Sequence, residues 1–246
     1  MIIKESNAIT ILNDAYENMD AQEYINNNTI QVVHKMANLP TAVTTDIEIC
    51  AIWTAMVSWS NMDAAIEAAY RMMKMCDWKP TQFIKTGEFY EINNKESFHM
   101  TLKGKNFKLV CVMLREFYKR YGSIQQYIQS SQINLYQLLY ELAETFAPAR
   151  LGTPATNSAC KRINLLLRWM VRKDKVDLGI WQTENIKPDS LFAILDSTVE
   201  RKAKRFWLLT YRKETWNAVT ELTYHYRLLN PKDPLKYDLS LNQYNI

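Results

Sequence analysis

Residues 47–59 read Ile-Glu-Ile-Cys-Ala-Ile-Trp-Thr-Ala-Met-Val-Ser-Trp, and this run decides the fold. It is apolar almost all round. A helix with apolar side chains on every face must be enclosed by other elements. The run therefore predicts a central, buried helix. Thr45, with Glu48 three residues on, forms the expected capping box at its start. Residues 58–61 break the run. Asp63 then opens a second helix that reaches Cys76, and Pro80 closes it.

Working outward, the same helical spacing recurs. Ile9, Ile11, Leu12, Tyr16 and Met19 predict one or two amphipathic helices over residues 1–35, closed by Pro40. Residues 81–104 show no clear period and read as a loop with a short helix. Residues 106–121 form a helix with Leu109, Val112, Met113, Phe117 and Tyr118 turned inward, stopped by Gly122. Shorter helices follow at 123–129 and 134–146. Pro148, Gly152 and Pro154 make residues 147–156 the best boundary in the chain.

Beyond that boundary, residues 157–172 form a strong helix with Asn157 or Ser158 as its cap. Residues 173–188 are a polar connector. A helix at 197–209 carries a second capping box, Ser197 with Glu200. Another helix spans 214–229, a turn at 231–234 follows, and a last short helix starts at Leu235. The chain of 246 residues has only 5 Gly and 7 Pro, too few for the tight turns of an all-β fold. The expected fold is all-α: a two-lobed helical bundle with an interlobe cleft. Residues 1–246 make one domain, with lobe 37–146 facing lobe 147–246, which the helices of 1–36 join.

Composition removes several function classes. Cys50, Cys76, Cys111 and Cys160 lie far apart, with neither zinc spacing nor an iron–sulfur run, and read as reduced core thiols. His34, His99 and His225 are equally scattered, so neither a metal nor a cofactor is expected. The N-terminus has no signal-peptide core, and no stretch reaches a membrane span, so a cytoplasmic protein is expected. The charge is one-sided. Residues 1–146 hold 13 Lys and Arg against 16 Asp and Glu, a net of −3; residues 147–246 hold 17 against 10, a net of +7. Such a half suits a polyanion, although a solvated basic face has the same composition.

The segment 157–172 focuses that charge. Lys161, Asn164, Arg168 and Arg172 fall at i, i+3, i+7 and i+11, on one face that could line up against phosphates. Lys161 sits in the first turn, where the macrodipole and the neighbouring Arg162 both disfavour an ammonium. An amine of lowered pKa could form a Schiff base with a sugar aldehyde; an ordinary exposed lysine is the plainer reading. Asp196 follows the apolar run 191–195 and precedes a helix. It could orient a nucleophile or steady a developing cation, or simply cap the helix. Trp169 and Trp181 could line a base pocket, or pack in the core.

The pattern Ala159-Cys160-Lys161-Arg162, Leu167-Arg168-Trp169-Met170-Val171-Arg172, Val176-Asp177-Leu178-Gly179-Ile180-Trp181, Leu195-Asp196, Val199-Glu200-Arg201 and Asp233-Pro234-Leu235-Lys236-Tyr237-Asp238 resembles an uncharacterised bacterial family. That family is distantly related to the helix-hairpin-helix DNA glycosylases, in particular the archaeal 8-oxoguanine branch. The resemblance covers residues 157–238, with a weaker match over 46–63.

It implies a base-excision repair glycosylase and lyase acting on a flipped damaged base. Lys161 would attack the sugar C1′ and then cleave the strand by β-elimination, assisted by Asp196. Arg162, Asn164, Arg168 and Arg172 would contact DNA, Gly152 would belong to the hairpin, and Ser60 or Asn61 would fill the gap in the duplex. The implied partner is damaged duplex DNA bound by a monomer, with no membrane, metal or cluster. The chain departs from the pattern in three places: the hairpin 149–154 lacks Gly-x-Gly, Ser197-Thr198 replaces Thr-His, and the connector 173–188 lengthens the spacing from Lys161 to Asp196. A non-catalytic nucleic-acid-binding module, or a helical protein-interaction module, would carry the same departures.

Overall fold

A computed structural model describes residues 2–211 and 213–243, with side chains from Ala8 onward. The chain is 64% helical, with one small two-stranded sheet among the described residues. The helices are α1 (Ile2–Glu17), α2 (Ala21–Asn26), α3 (Ile30–Ala37), α4 (Thr44–Val57), α5 (Met62–Met75), α6 (Pro80–Thr86), α7 (Gly104–Tyr121), α8 (Ile124–Ser131) and α9 (Leu135–Thr145). After the boundary come α10 (Lys161–Val171), α11 (Ser197–Arg205), α12 (Trp216–Leu229) and α13 (Lys236–Gln243). Residues 244–246, part of the expected last helix, lie outside the described residues.

The run that decides the fold is the buried helix α4. Every residue from Glu48 to Val57 is buried, and α3, α5, α6 and α10 pack around it. Its start differs from expectation: Asp46, not Thr45 with Glu48, closes the first turn, accepting from Val43 N at 3.1 Å and from Thr81 N at 3.0 Å. Glu48 is instead fully buried. Its Oε1 accepts from Gln125 N (2.8 Å) and Trp181 Nε1 (3.0 Å), and its Oε2 accepts from Ile124 N (2.9 Å). One carboxylate thus satisfies the first turn of α8 and ties the 173–188 connector to the central helix.

Other expectations shift by a residue or an element. The N-terminal region holds three helices, because Asp20 caps α2 through Glu23 N. Asn61, not Asp63, caps α5 through Ala64 N at 2.9 Å. The stretch 81–104 contains α6 and a hairpin of β1 (Ser97–His99) with β2 (Leu102–Lys103). In α7 the buried stripe is Phe107, Val110, Cys111 and Leu114; Leu109 is exposed, while Val112, Met113, Phe117 and Tyr118 flank the core.

Buried apolar side chains form two clusters. The larger gathers α2–α9, the inner face of α10, and Val176, Trp181 and Ile186 of the connector. The smaller joins Leu12 to the 193–195 segment, α11, α12 and α13. Helix α1 packs along α13. Helix α10, which the sequence groups with the basic half, gives Ile163, Leu166, Leu167 and Met170 to the larger cluster. All four cysteines are buried and free. Among the described residues no helix is long and apolar enough to cross a membrane, and no three His, Cys, Asp or Glu side chains could hold a metal ion.

Candidate functional site

The loop before α10 is tight. Gly152 has φ +101°, and a Cβ there would lie 3.0 Å from Cys160 Cα, so glycine suits this close crossing. Leu151 O accepts from Ile163 N at 3.1 Å, closing the first turn of α10 from outside. The helix starts at Lys161, not 157, with Cys160 in the left-handed region and without a side-chain cap. Asn157 and Ser158 act elsewhere: Asn157 Oδ1 accepts from Trp216 N, and Ser158 Oγ from Cys160 N.

Lys161 Nζ donates to Asp196 Oδ2 at 2.8 Å, with 34% of the lysine and 27% of the aspartate side chain still exposed. Asp196 does the two jobs weighed against each other above. Its Oδ1 accepts from Thr198 N (3.0 Å) and Val199 N (2.9 Å), so Asp196 itself caps α11 and leaves Oδ2 for the lysine. Ser197 is exposed, and Glu200 pairs with Lys204. Burial raises the pKa of Asp196. The Lys161 ammonium, its hydrogen bond and the two amides together outweigh burial and hold the group below the usual carboxylate value. Asp196 is therefore an ionised acceptor. Nearby Glu214 is pushed the other way, by burial and then by the Asp196 and Glu200 charges.

The backbone under this pair is pinned by three helices. Asn164 Nδ2 reaches Ala159 O (3.4 Å) and Ala193 O (3.3 Å). Thr223 Oγ1 accepts from Ala193 N at 2.9 Å, and both Asp238 oxygens accept from Ile194 N. Asn164 is thus buried and does not face phosphates; it holds together the segments that precede Lys161 and Asp196.

The expected cationic row is corrected further along α10. Arg168 and Arg172 are buried, each 1% exposed. Arg168 Nε donates to Asp177 Oδ1 at 3.2 Å. Arg172 donates to Asp177 Oδ2 at 2.9 Å, pairs with Asp174, and forks onto Asp233 through Nε (2.7 Å) and Nη2 (2.8 Å). Two arginines are thus enclosed by three carboxylates, and neither is free for a phosphate. The shared face is real, but the 173–188 connector and the 231–234 turn cover its far end.

The near end is open. Lys161 and Asp196 line a cavity of about 80 Å³, together with Tyr24, Thr29, Ser58, Arg168 and Trp169. Trp169 Nε1 is buried without a hydrogen-bond partner. Trp181 is a core residue spent on Glu48. Ser60 is exposed with φ 67°, and Asn61 is exposed but committed to its cap. Tyr24, Thr29 and Glu214 escaped the sequence reading because no local pattern ties them to Lys161. Asp177, Asp233 and Asp238 stood inside the resemblance motif without a role.

The family model described as "Protein of unknown function (DUF2400)" matches residues 29–246. The chain belongs to this family. No curated protein and no solved structure matches it. The matched span takes in Lys161, Asp196 and the carboxylates around Arg172, while Tyr24 and Asn28 of the cavity lining precede it.

Proposed function

We propose that this member of the family is a DNA base-excision glycosylase with lyase activity, with Lys161 as nucleophile and Asp196 as its carboxylate partner. The observation that carries the reading is the 2.8 Å contact between Lys161 Nζ and Asp196 Oδ2 at the wall of one cavity. The proposed architecture is the glycosylase-like one of two helical lobes around a cleft. It is supported by the cavity's lining, which draws on Ile30 and Trp169 from the larger cluster and on Val199 from the smaller.

The chemistry follows from the charges. An ammonium cannot attack, so Lys161 must first give up a proton, for which ionised Asp196 is the adjacent acceptor. The Nζ lone pair then forms a bond to C1′ while the bond from C1′ to the base breaks. The base leaves with that electron pair and takes the proton that Asp196 had accepted, which leaves Asp196 ionised again. Ring opening gives an iminium between Nζ and C1′. Loss of a C2′ proton expels the 3′ phosphate, and water releases the lysine. Asp196, ionised again once the base has taken its proton, stabilises the positive charge of the iminium at C1′.

The test is borohydride trapping with duplex DNA carrying an abasic site or a damaged base. A covalent adduct is expected from the native protein and none from Lys161→Gln of unchanged fold. DNA binding with no adduct on any lesion would sink the lyase reading in favour of a non-catalytic binding module. Absence of DNA binding even at low salt would leave a protein-interaction module.

A further inference from the structure

With Arg168 and Arg172 enclosed, the basic half needs another contact surface for a polyanion. Arg150 and Arg162 meet at a recess on the far side of the α10 start. Neither forms an ion pair among the described residues, and no side chain lining the recess is acidic. Burial, and then the charge of Arg150, lower the pKa of Arg162 from its usual value. Two like charges held together without a carboxylate favour an anion between them.

The rest of the recess is built for one. Arg162 lies over the Trp59 ring, 5.7 Å from its centroid, and its Nη1 reaches only a long 3.5 Å contact with Met56 O. Trp59 is fixed in turn by His99, whose Nε2 lies 3.0 Å from Trp59 O. Trp59 Nε1 is buried and has no hydrogen-bond partner. Thr101 and Asn106 add neutral polar groups from the hairpin side. The recess holds about 10 Å³, the room of a single water-sized group. It admits one phosphate oxygen and excludes a base or a nucleoside.

We propose that Arg150, Arg162 and Trp59 form a clamp for one phosphate of a nucleic-acid backbone. The choice of a backbone phosphate rests on the glycosylase reading, because Arg162 adjoins Lys161 and Trp59 adjoins the exposed Ser60. Two guanidinium groups supply charge, and the Trp59 ring backs the Arg162 guanidinium.

The test measures affinity for an undamaged duplex across a salt series, which requires no chemistry. Arg150→Gln and Arg162→Gln should each lower the slope of log affinity against log salt, and the double variant should lower it by about 0.9, the value for one phosphate. Arg162→Lys should restore the slope. Trp59→Leu, which removes the ring under Arg162, should weaken binding several-fold with the slope unchanged, since the ring carries no charge. Circular dichroism of each variant confirms the fold. Unchanged slopes in well-folded arginine variants overturn the clamp even if borohydride trapping succeeds, and loss of slope without trapping leaves the clamp standing while the lyase reading falls. Millimolar binding of inorganic phosphate at this recess with no effect on the duplex slope would assign it to a free anion and overturn the proposal.

Discussion

Arg172 and Asp233 face each other as a two-bonded fork, Nε to Oδ1 at 2.7 Å and Nη2 to Oδ2 at 2.8 Å. The same guanidinium also meets Asp174 and Asp177, and the Tyr16 hydroxyl accepts from Nη2 at 3.0 Å. The network locks α10 to α1, to the connector and to the turn before α13. Removing the arginine leaves buried Asp177 with Arg168 alone and takes the guanidinium away from Asp174 and Asp233. Arg172→Gln should therefore cost about 3–5 kcal/mol of stability, read by urea unfolding. Where the variant remains folded, its salt slope for DNA should match the native protein's, because this arginine contacts no phosphate. A lowered slope would return Arg172 to the binding surface.

Glu48 is the acceptor for three donors, the buried Ile124 N and Trp181 Nε1 and the part-buried Gln125 N. Each stranded donor costs about 1–3 kcal/mol. Glu48→Ala should destabilise the protein by about 3–5 kcal/mol and bring Trp181 into a wetter environment. Urea unfolding and tryptophan emission check both. A loss below about 1 kcal/mol would mean that α8 does not depend on this carboxylate.

The central helix was legible because its reading needs nothing from the rest of the chain: a segment apolar all round can only be interior. Pro148 and Pro154 likewise mark, from local sequence alone, the short turns at 147–149 and 154–156. Arg168 and Arg172 were misread for the opposite reason. Spacing fixes which residues share a face, but not what covers it, and the cover here comes partly from Asp233, 61 residues beyond Arg172. The hairpin at 97–103 is too short to show alternation. Asp196 looked like a choice between cap and partner, yet a carboxylate has two oxygens, and each takes one task. The cavity's Tyr24 comes from α2, which no local pattern connects to α10.

Asp238 gives the protein a pH dependence of known sign. Burial pushes its pKa up to about 7, against the opposing pull of Arg168, the Ile194 amide and Tyr226. The folded state thus holds this proton more tightly than the unfolded chain. The contribution is fully present below the unfolded carboxyl value near 3.8 and is lost as pH rises through about 7. Asp238→Asn keeps an acceptor for Ile194 N and cannot ionise. Its stability relative to the native protein should rise between pH 5 and 7, by at most about 1.4 kcal/mol per unit, and level off above 8. Urea unfolding of both proteins over that range is the measurement. A constant difference would show that Asp238 does not titrate there.

Asp196→Asn separates the two tasks of that side chain. Asparagine caps helices as well as aspartate does, so the bonds from Thr198 N and Val199 N should survive. The ion pair with Lys161 is partly exposed on each side, where solvent screening leaves such pairs worth less than about 1 kcal/mol. Stability at pH 7 should therefore fall by no more than about 1 kcal/mol. Chemistry should respond quite differently. The variant has neither the acceptor for the lysine proton nor the charge facing C1′, and rates of adduct formation should drop by roughly 100-fold or more. Because proton acceptance passes to hydroxide or buffer, the remaining rate should rise with pH where the native rate has levelled off. Single-turnover trapping between pH 6 and 9 reads this directly. Native-like rates in a stable Asp196→Asn protein would reduce Asp196 to a helix cap and leave Lys161 without its partner.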